Sequence, residues 1–392
     1  MKTPYYVIHK EELDRGICKL KQAFDKYWNN YIVGYSYKTN SLPWVADYFY
    51  KAGCYAEVVS EHEYKLGQYM KVSPERFIYN GPIKSQESMI EALMNGAYVN
   101  LDAWREIDWL DQLPKDRHYN LGIRVNYDIE QACPGQSSSG SEGGRFGFCY
   151  ENGELKRAID TILNKGFKIA GLHLHNSSKT RGIDIYRASA IKACELAKRY
   201  GLELDFVDIG GGFFGGLSNK PQFGDYLRVI SSELSNYFNS QKTKLILEPG
   251  MSLIGSPVSY VTSVIDVKDT TYGRFVVTDG SRTQIDPLMR KTGYFYSIEQ
   301  AENKPSFVKQ VVSGYTCMEN DRIFVAENKP ELQVGDLITY EKVGAYTMCL
   351  TPLFIKYFPA VYVEDKDGIT LVRREWEPQD YVSGSFVGGE EL

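Results

Sequence analysis

Eight short apolar runs alternate with amphipathic stretches between Tyr31 and Glu248, and this repetition constrains the fold more than any other feature. The runs are Ile32–Tyr37, Tyr55–Val59, Phe77–Tyr79, Ala97–Asn100, Leu121–Val125, Ile169–Leu174, Leu204–Val207 and Lys244–Leu247. Such alternation is typical of parallel β/α units. Eight units predict a closed (β/α)8 barrel of the α/β class, with its active site at the carboxyl ends of the strands. An open doubly wound sheet is the main alternative.

The stretches between the apolar runs have helical periodicity. Ala190, Ala193, Cys194 and Ala197 recur at the spacing of one helix face, and Gly201 follows where a left-handed C-terminal cap is expected. These segments are therefore predicted to be the helices that connect the barrel strands.

Beyond Glu248 the sequence changes to β-rich runs separated by turn residues, with little helical periodicity. This pattern predicts a second, all-β domain, and the N-terminal segment PYYVIH is typical of a strand that could join it. We therefore predict a barrel over residues 25–255 and a β domain formed by residues 1–24 and 256–392.

Composition excludes several classes of function. The net charge of -5 and the pI near 5.7 argue against nucleic-acid binding, which requires concentrated Lys and Arg. The seven cysteines form no CxxC pair and no Cys/His cluster, so neither a metal site nor a disulfide framework is expected, and a reducing cytoplasm fits best. A signal peptide is not expected, because the start MKTPYYVIHKEELDRG becomes charged before an apolar run can build, and a membrane span is not expected, because no run of about 18 apolar residues occurs.

Four chemically useful groups follow predicted strands: Lys38, His175, the glycines at 210–212 and Glu248. Each alone is commonly structural, as a solvated lysine, a buried histidine, a flexible loop or a loop-facing acid. Together they supply an amine for imine formation, a ring for stacking, exposed N–H groups for a phosphate and a carboxylate for a pyridinium nitrogen. These are the requirements of pyridoxal 5′-phosphate (PLP).

The motifs also resemble, in order and approximate spacing, those of the fold-type III PLP decarboxylases, which include diaminopimelate and ornithine decarboxylases. The matching motifs are YSYKTN, AEVVSEHEY, GLHLHNSS, DIGGGF, EPG, SGYTCMEND and VGAYT. The resemblance runs nearly end to end. It implies an alanine racemase-like fold, decarboxylation of an amino acid at Cα, and a homodimer with shared active sites.

The resemblance also implies roles for individual residues. Lys38 resembles the Schiff-base lysine, His175 the ring-stacking histidine, and Cys317 a cysteine that enters the neighbouring subunit's site and helps to protonate Cα. Glu248 resembles the partner of the pyridinium nitrogen. The remaining implied cofactor ligands are Glu57, Ser178, Gly210, Gly211, Gly212, Gly250 and Tyr346, and Ser177 lies beside Ser178.

The sequence departs from the family where the far end of the substrate is bound. Met318 follows Cys317, where diaminopimelate decarboxylases usually carry Glu and ornithine decarboxylases Asp, and Met251 follows EPG where Arg is common. A thioether cannot pair with a distal ammonium unless a neighbouring acid substitutes for the missing one. The predicted substrate-binding residues are Arg282, Asp286, Arg290, Met318, Glu319 and Asp321.

Three cations, Arg282, Arg290 and Lys291, favour an anionic substrate tail, unless they are solvated or pair with Asp286 and Glu299. Our main hypothesis is therefore decarboxylation of an N-citryl diamino acid, such as citryl-ornithine or citryl-diaminopropionate, in carboxylate siderophore biosynthesis. The alternative is a diaminopimelate, ornithine or lysine decarboxylase. An amino-acid racemase and a catalytically silent binding homologue are further hypotheses.

Overall fold

The computed structural model describes residues 1–176, 178–300 and 304–391, and the chain divides into two units. One unit is Gly16–Leu253, and the other combines Met1–Arg15 with Ile254–Leu392. The helix Lys10–Tyr27 contains both the unit limit at residue 16 and the predicted domain limit at residue 25.

Eight parallel strands of the Gly16–Leu253 unit close into a barrel, which confirms the predicted fold. From first to eighth they are Tyr31–Ser36, Tyr55–Ser60, Phe77–Ile83, Tyr98–Leu101, Leu121–Asn126, Gly171–His173, Phe206–Asp208 and Lys244–Leu247. Each strand pairs with its neighbours along the chain, and the eighth pairs in parallel with the first. This last pairing closes the ring, so the open doubly wound sheet is wrong. The two-residue strand Phe148–Cys149 pairs with the fifth strand outside the ring.

Helices connect the barrel strands, as the periodicity predicted. The α-helices are Pro43–Lys51, Glu61–Tyr69, Gln86–Met94, Trp104–Trp109, Ile129–Ala132, Glu154–Asn164, Ile183–Tyr200, Phe223–Leu234 and Met251–Ile254. Short 3-10 turns are Tyr37–Thr39, Pro74–Arg76, Leu110–Gln112 and Gly140–Glu142. In Ile183–Tyr200 the predicted alanines are buried, and Gly201 caps the helix with a φ of 62°.

The barrel interior is filled by large side chains that meet glycines on neighbouring strands. Ile32, Ile78, Tyr98, Phe206 and Ile246 are buried together. A Cβ on Gly122 or Gly171 would collide with the Phe206 ring. Close packing of this kind costs several kcal/mol to disrupt, about 3–5 for loss of a buried aromatic ring. The strand ends are therefore held on a rigid base.

The second unit is built mainly of β-strands, as predicted, and its sheet pairs strands in both parallel and antiparallel directions, with short helices at Arg282–Ile285 and Pro378–Val382. Its strands are Tyr5–His9, Val258–Thr270, Gly273–Thr278, Phe295–Glu299, Ser306–Ser313, Arg322–Pro330, Leu337–Glu341, Ala360–Asp365, Gly368–Arg373, Phe386–Val387 and Glu390–Glu391. The N-terminal strand Tyr5–His9 lies between Val258–Thr270 and Ala360–Asp365, so PYYVIH joins this unit. None of the described helices has the length and apolar character needed to span a membrane.

Candidate active site

Lys38 lies in the 3-10 turn after the first barrel strand and contacts an acid of the second strand. Its Nζ donates to Glu57 Oε2 at 2.9 Å, and Ser36 Oγ donates to the same oxygen. The Glu57 side chain is only 1% exposed, whereas that of Lys38 is 36% exposed. The buried carboxylate therefore holds an amine that is still reachable from the strand-end surface.

An asparagine links this ion pair to the predicted pyridinium partner. Asn80, in the third strand, donates from Nδ2 to Glu57 Oε1 at 3.0 Å and to Glu248 Oε1. Asn100 Nδ2, in the fourth strand, donates to Asn80 Oδ1 at 2.8 Å. Four barrel strands and the residue after the eighth strand thus converge on one hydrogen-bonded cluster.

Two buried carboxyl groups of this cluster have opposite protonation tendencies. Burial favours the neutral form of Glu248, but His173, whose Nε2 lies 3.6 Å away, and Lys38 lower its pKa well below the usual range. Burial and the Glu248 charge raise the pKa of Asp208 well above its usual value. Environments that push two pKa values apart in this way are typical of active sites, with one acid ionised and the other protonated.

The loop after the seventh strand requires glycine. Gly210 and Gly212 have φ of 72° and 89°, in the left-handed region that favours glycine. A Cβ on Gly210 would collide with the His175 ring, and one on Gly211 with the Glu248 carbonyl oxygen. The Gly211 N–H donates to His175 Nδ1 at 3.0 Å, which leaves Nε2 to carry the proton of a neutral ring. Burial and then the Arg124 cation lower the pKa of His175 to about 3, so the ring is neutral.

The other predicted cofactor ligands of the barrel unit lie in adjoining loops. Ser178 Oγ accepts from the Arg181 N–H at 2.7 Å, and Gly250 packs so closely on Thr39 that a Cβ would collide with it. The neighbouring Ser177 lies outside the described residues. The assignments of Ser178 to a phosphate and of Gly250 to the cofactor stay predictions.

Residues of this site fit PLP by their chemistry and by the shape of the backbone. The glycine loop is a cradle that side chains would fill, Lys38 offers a primary amine, and Glu248 offers a buried carboxylate for a ring nitrogen. Within the described residues, His173 Nδ1 is buried and lacks a hydrogen-bond partner. Lys38 would hold the aldehyde carbon, Glu248 the ring nitrogen, and the glycine loop the phosphate. PLP, when bound, takes up the electron pair that decarboxylation leaves at Cα.

The side-chain ligand atoms of His173, His175 and Glu248 lie within 4.8 Å of one another. Cys/His spacing in the sequence does not predict this grouping. Its members come from the sixth and eighth strand ends, far apart in the chain. The same three side chains belong to the strand-end cluster described above, so the grouping is part of that candidate site.

The residues predicted from the Cys motif of the β unit differ in exposure and in their contacts. Cys317, Met318 and Glu319 line a cavity of about 400 Å³, and Cys317 is exposed. Glu319 points outward and pairs with Arg322 at 3.2 Å. Tyr346 is partly exposed and has a φ of 56°.

Asp321 requires a correction, because its buried carboxylate binds its own loop. It accepts hydrogen bonds from Thr316 N and Oγ1 at 3.1 and 2.6 Å, from Ser281 Oγ at 3.0 Å and from the Arg282 N–H at 2.8 Å. Four donors occupy the two oxygen atoms. Asp321 therefore fixes the loop that carries Cys317, and the prediction that it binds substrate has no support from these contacts.

The charged groups of the predicted cationic segment also form most of their ion pairs and hydrogen bonds with one another. Arg282 Nη2 donates to the buried Asp286 at 3.1 Å, and Asp286 also accepts from the N–H groups of Arg290 and Lys291 and from Tyr294. Lys291 Nζ donates to the Ile285 carbonyl at 2.9 Å. Asp286 is thus a loop-organising acid, and the expectation that Arg282 faces an anionic ligand is corrected. The Arg290 residue is exposed.

Sequence reasoning missed several residues of the barrel site. Asn80 lies within the third strand, and His173 and Asp208 end the sixth and seventh strands. Glu63, in the helix after the second strand, was also missed, although it stands within the quoted AEVVSEHEY motif. Polar residues at strand ends, considered without regard to family motifs, would have indicated His173 and Asp208.

A closed (β/α)8 barrel whose strand ends join a lysine, buried carboxylates, a neutral histidine and a glycine cradle defines a PLP enzyme. Residues 12–255 match the family model described as the pyridoxal binding domain of pyridoxal-dependent decarboxylases. This match spans more than half of the chain, so the chain belongs to the pyridoxal-dependent decarboxylase family. It is a PLP-dependent amino-acid decarboxylase, which sets aside the racemase and the silent homologue.

Similar proteins cover almost the whole chain. The probable chloroplastic diaminopimelate decarboxylase of Oryza sativa subsp. japonica is 26% identical over 97% of this chain and 79% of its own length. The diaminopimelate decarboxylase of Methanocaldococcus jannaschii is 24% identical over 98% of this chain and 91% of its own.

Solved structures show the same fold. The M. jannaschii diaminopimelate decarboxylase in complex with L-lysine has a TM-score of 0.86 and 23% identity, and the alignment covers 100% of this chain and 93% of that one. The arginine decarboxylase of Paramecium bursaria Chlorella virus bound to agmatine has a TM-score of 0.76 and 20% identity, covering 93% and 97%.

Proposed function

We propose that this decarboxylase acts on a free diamino acid, with diaminopimelate as its substrate. The observation that carries the proposal is the ion pair between Arg282 and the buried Asp286, with Lys291 also bonded inside its segment. The citrate-bearing substrate was favoured by these cations, and two of the three are already engaged. The similar curated proteins carry the name diaminopimelate decarboxylase, which supports the same substrate.

Within this proposal, the barrel residues act on the α-carbon end of the substrate. Lys38 would hold the cofactor through its Nζ, which Glu57 keeps in place while Ser36 donates to the same carboxylate oxygen. The ionised Glu248 would hold the protonated ring nitrogen, and the neutral His175 would pack on the ring. Removal of water from this cluster strengthens each of these interactions.

The proton that replaces the lost carboxylate is proposed to come from Cys317 of the neighbouring subunit in a homodimer. The exposure of Cys317 and the clamp of its loop by Asp321 support a thiol that is held in a defined position. The homodimer and a cytoplasmic location stay predictions.

One observation keeps an N-citryl diamino acid as a second candidate. Met318 stands where diaminopimelate decarboxylases usually carry Glu, and the neighbouring Glu319 pairs with Arg322. The free distal ammonium of diaminopimelate would thus lack the usual acid. The residue Arg290 is exposed, so its guanidinium could bind a carboxylate of the citryl group.

A mass-spectrometric decarboxylation screen tests the two candidates. The PLP-loaded protein is incubated with meso-diaminopimelate, ornithine, lysine and the N-citryl derivatives of ornithine and 2,3-diaminopropionate, and the Lys38→Ala protein is the blank. We expect a loss of carbon dioxide from diaminopimelate with the highest kcat/KM. Turnover of a citryl compound alone would overturn the proposal and establish the second candidate.

A further inference from the structure

Two fully buried charged side chains of the barrel unit take no part in the site described above. Lys84 follows the third barrel strand and Glu106 lies in the helix after the fourth, and both side chains are 0% exposed. Lys84 Nζ donates to Glu106 Oε2 at 3.2 Å and to the Gly81 carbonyl at 2.6 Å. A buried ion pair is often no more stable than apolar side chains of the same volume. Stability alone therefore gives little reason for this pair.

The pair is continuous with the active site through two more charged residues. Glu106 Oε2 accepts from the Asp102 N–H at 2.7 Å, and Asp102 Oδ1 accepts from Arg124 Nη1 at 3.3 Å. Arg124 is buried in the fifth strand, and its Nε has no hydrogen-bond partner among the described residues. Arg124 pairs in register with His173 of the sixth strand, two residues before His175, and its charge contributes to lowering the pKa of the His175 ring.

We propose that Lys84 and Glu106 are positioning residues of the decarboxylase. They fix the start of the loop at Asp102, so that Arg124 keeps one orientation beside His175 and offers its guanidinium to the bound cofactor. The inference rests on PLP dependence and on no choice of substrate.

Charge balance explains why both members of the pair are needed. Lys84 and Arg124 carry two positive charges, and Asp102 and Glu106 carry two negative charges, so the buried network is neutral. Without the Lys84 ammonium, the Glu106 carboxylate is buried without its cation and competes with Asp102 for the Arg124 guanidinium. Arg124 then turns away from His175.

The test measures PLP binding by the cofactor-free protein, together with the visible circular dichroism of the bound cofactor. For Lys84→Met we expect the Kd for PLP to rise about tenfold, or about 1.4 kcal/mol, with a changed dichroic band. The Lys84→Met/Glu106→Gln protein has no uncompensated charge, and its glutamine can still accept from Asp102. We expect it to bind PLP within about threefold of the wild type.

Lys304→Met is the matched control, because Lys304 pairs with Asp336 at 2.7 Å in a buried position of the β unit. It should lower the thermal midpoint and leave the Kd and the dichroic band unchanged. A folded Lys84→Met protein with the wild-type Kd and band would overturn the proposal. So would a double variant as impaired as the single one, because packing rather than charge would then be responsible. If Lys84→Met does not fold, Glu106→Gln replaces it, and an unchanged Kd and band contradict the proposal.

Discussion

Charged groups find their partners differently in the barrel cluster and in the Arg282–Lys291 segment of the β unit. In the barrel, Lys38 pairs with Glu57, and Asn80 bridges Glu57 to Glu248, so the partners come from separate strands. In the β-unit segment, Arg282 pairs with Asp286 four residues away, and Lys291 donates to the Ile285 carbonyl six residues away.

This difference distinguishes ligand-binding clusters from local structural ion pairs. A cluster assembled from separate strands depends on the whole barrel and places charge where a ligand can use it, whereas a local pair stabilises one turn. We therefore expect barrel substitutions to change the chemistry with little loss of stability. Substitutions in the β-unit loops should change stability first.

The largest effect is expected for Lys38→Ala. Loss of the amine that Glu57 and Ser36 hold should lower kcat more than about 10³-fold and abolish covalent attachment of PLP. Initial rates of carbon dioxide release and the visible absorbance of the cofactor-loaded protein measure both changes. Lys65→Ala is the control, because Lys65 is an exposed helix lysine paired with Glu61. Wild-type turnover by Lys38→Ala would rule out the assigned role.

The second prediction compares the two buried acids. Glu248→Gln removes a charge that the site maintains, and we expect kcat to fall about 10²- to 10³-fold. Asp208→Asn replaces a carboxyl group whose pKa is already raised by burial and Glu248, so a neutral amide should cost less than about tenfold. Steady-state kinetics of both proteins at neutral pH give the comparison. Equal losses in kcat would contradict the assignment of an ionised Glu248 and a protonated Asp208.

The sequence predicted the barrel and the identity of Lys38, His175, Glu248 and the glycine loop, because strand periodicity and strand-end position are local signals. It missed Asn80 and Asp208, whose contacts form only when distant strands meet. A single asparagine or aspartate carries no periodic pattern to mark it.

The same limit explains the corrections in the β unit. A sequence shows that Arg282, Asp286 and Asp321 are charged, but it does not show which way their side chains point. The spacing of four residues between Arg282 and Asp286 would have indicated local pairing. The N-citryl substrate was predicted instead from the position of these charged residues in the family's motif order.

The third prediction concerns the pH dependence of stability at Glu63. Burial, followed by the Glu57 charge, raises the pKa of Glu63 to about 7 from 4.5. Between these pH values the folded protein keeps a proton that the unfolded chain releases, so the free energy of unfolding falls as the pH rises. Glu63→Gln keeps an acceptor for the Val59 N–H and removes the contribution of the Glu63 carboxyl to the pH dependence of stability.

We therefore expect Glu63→Gln to gain stability relative to the wild type as the pH rises from about 5 to about 8, by up to about 3 kcal/mol. Urea unfolding of the cofactor-free protein at both pH values measures the difference. Glu91→Gln, on an exposed helix face, is the control and should show no such trend. A constant difference between Glu63→Gln and the wild type would mean that Glu63 is ionised in the folded protein.

The smallest effect is expected for Arg290→Ala, compared with Arg282→Ala. Arg282→Ala leaves the buried Asp286 without its cation and should destabilise the protein by about 1–3 kcal/mol, seen as a lower thermal midpoint. Arg290 is exposed, and its loss should change stability by less than about 0.5 kcal/mol and the KM for diaminopimelate less than about threefold. Michaelis kinetics on diaminopimelate and on N-citryl-ornithine separate the two substrates. A KM raised only for the citryl compound would show that Arg290 binds the citryl group. The β-unit segment would then contribute to substrate binding, although Arg282 is paired with Asp286.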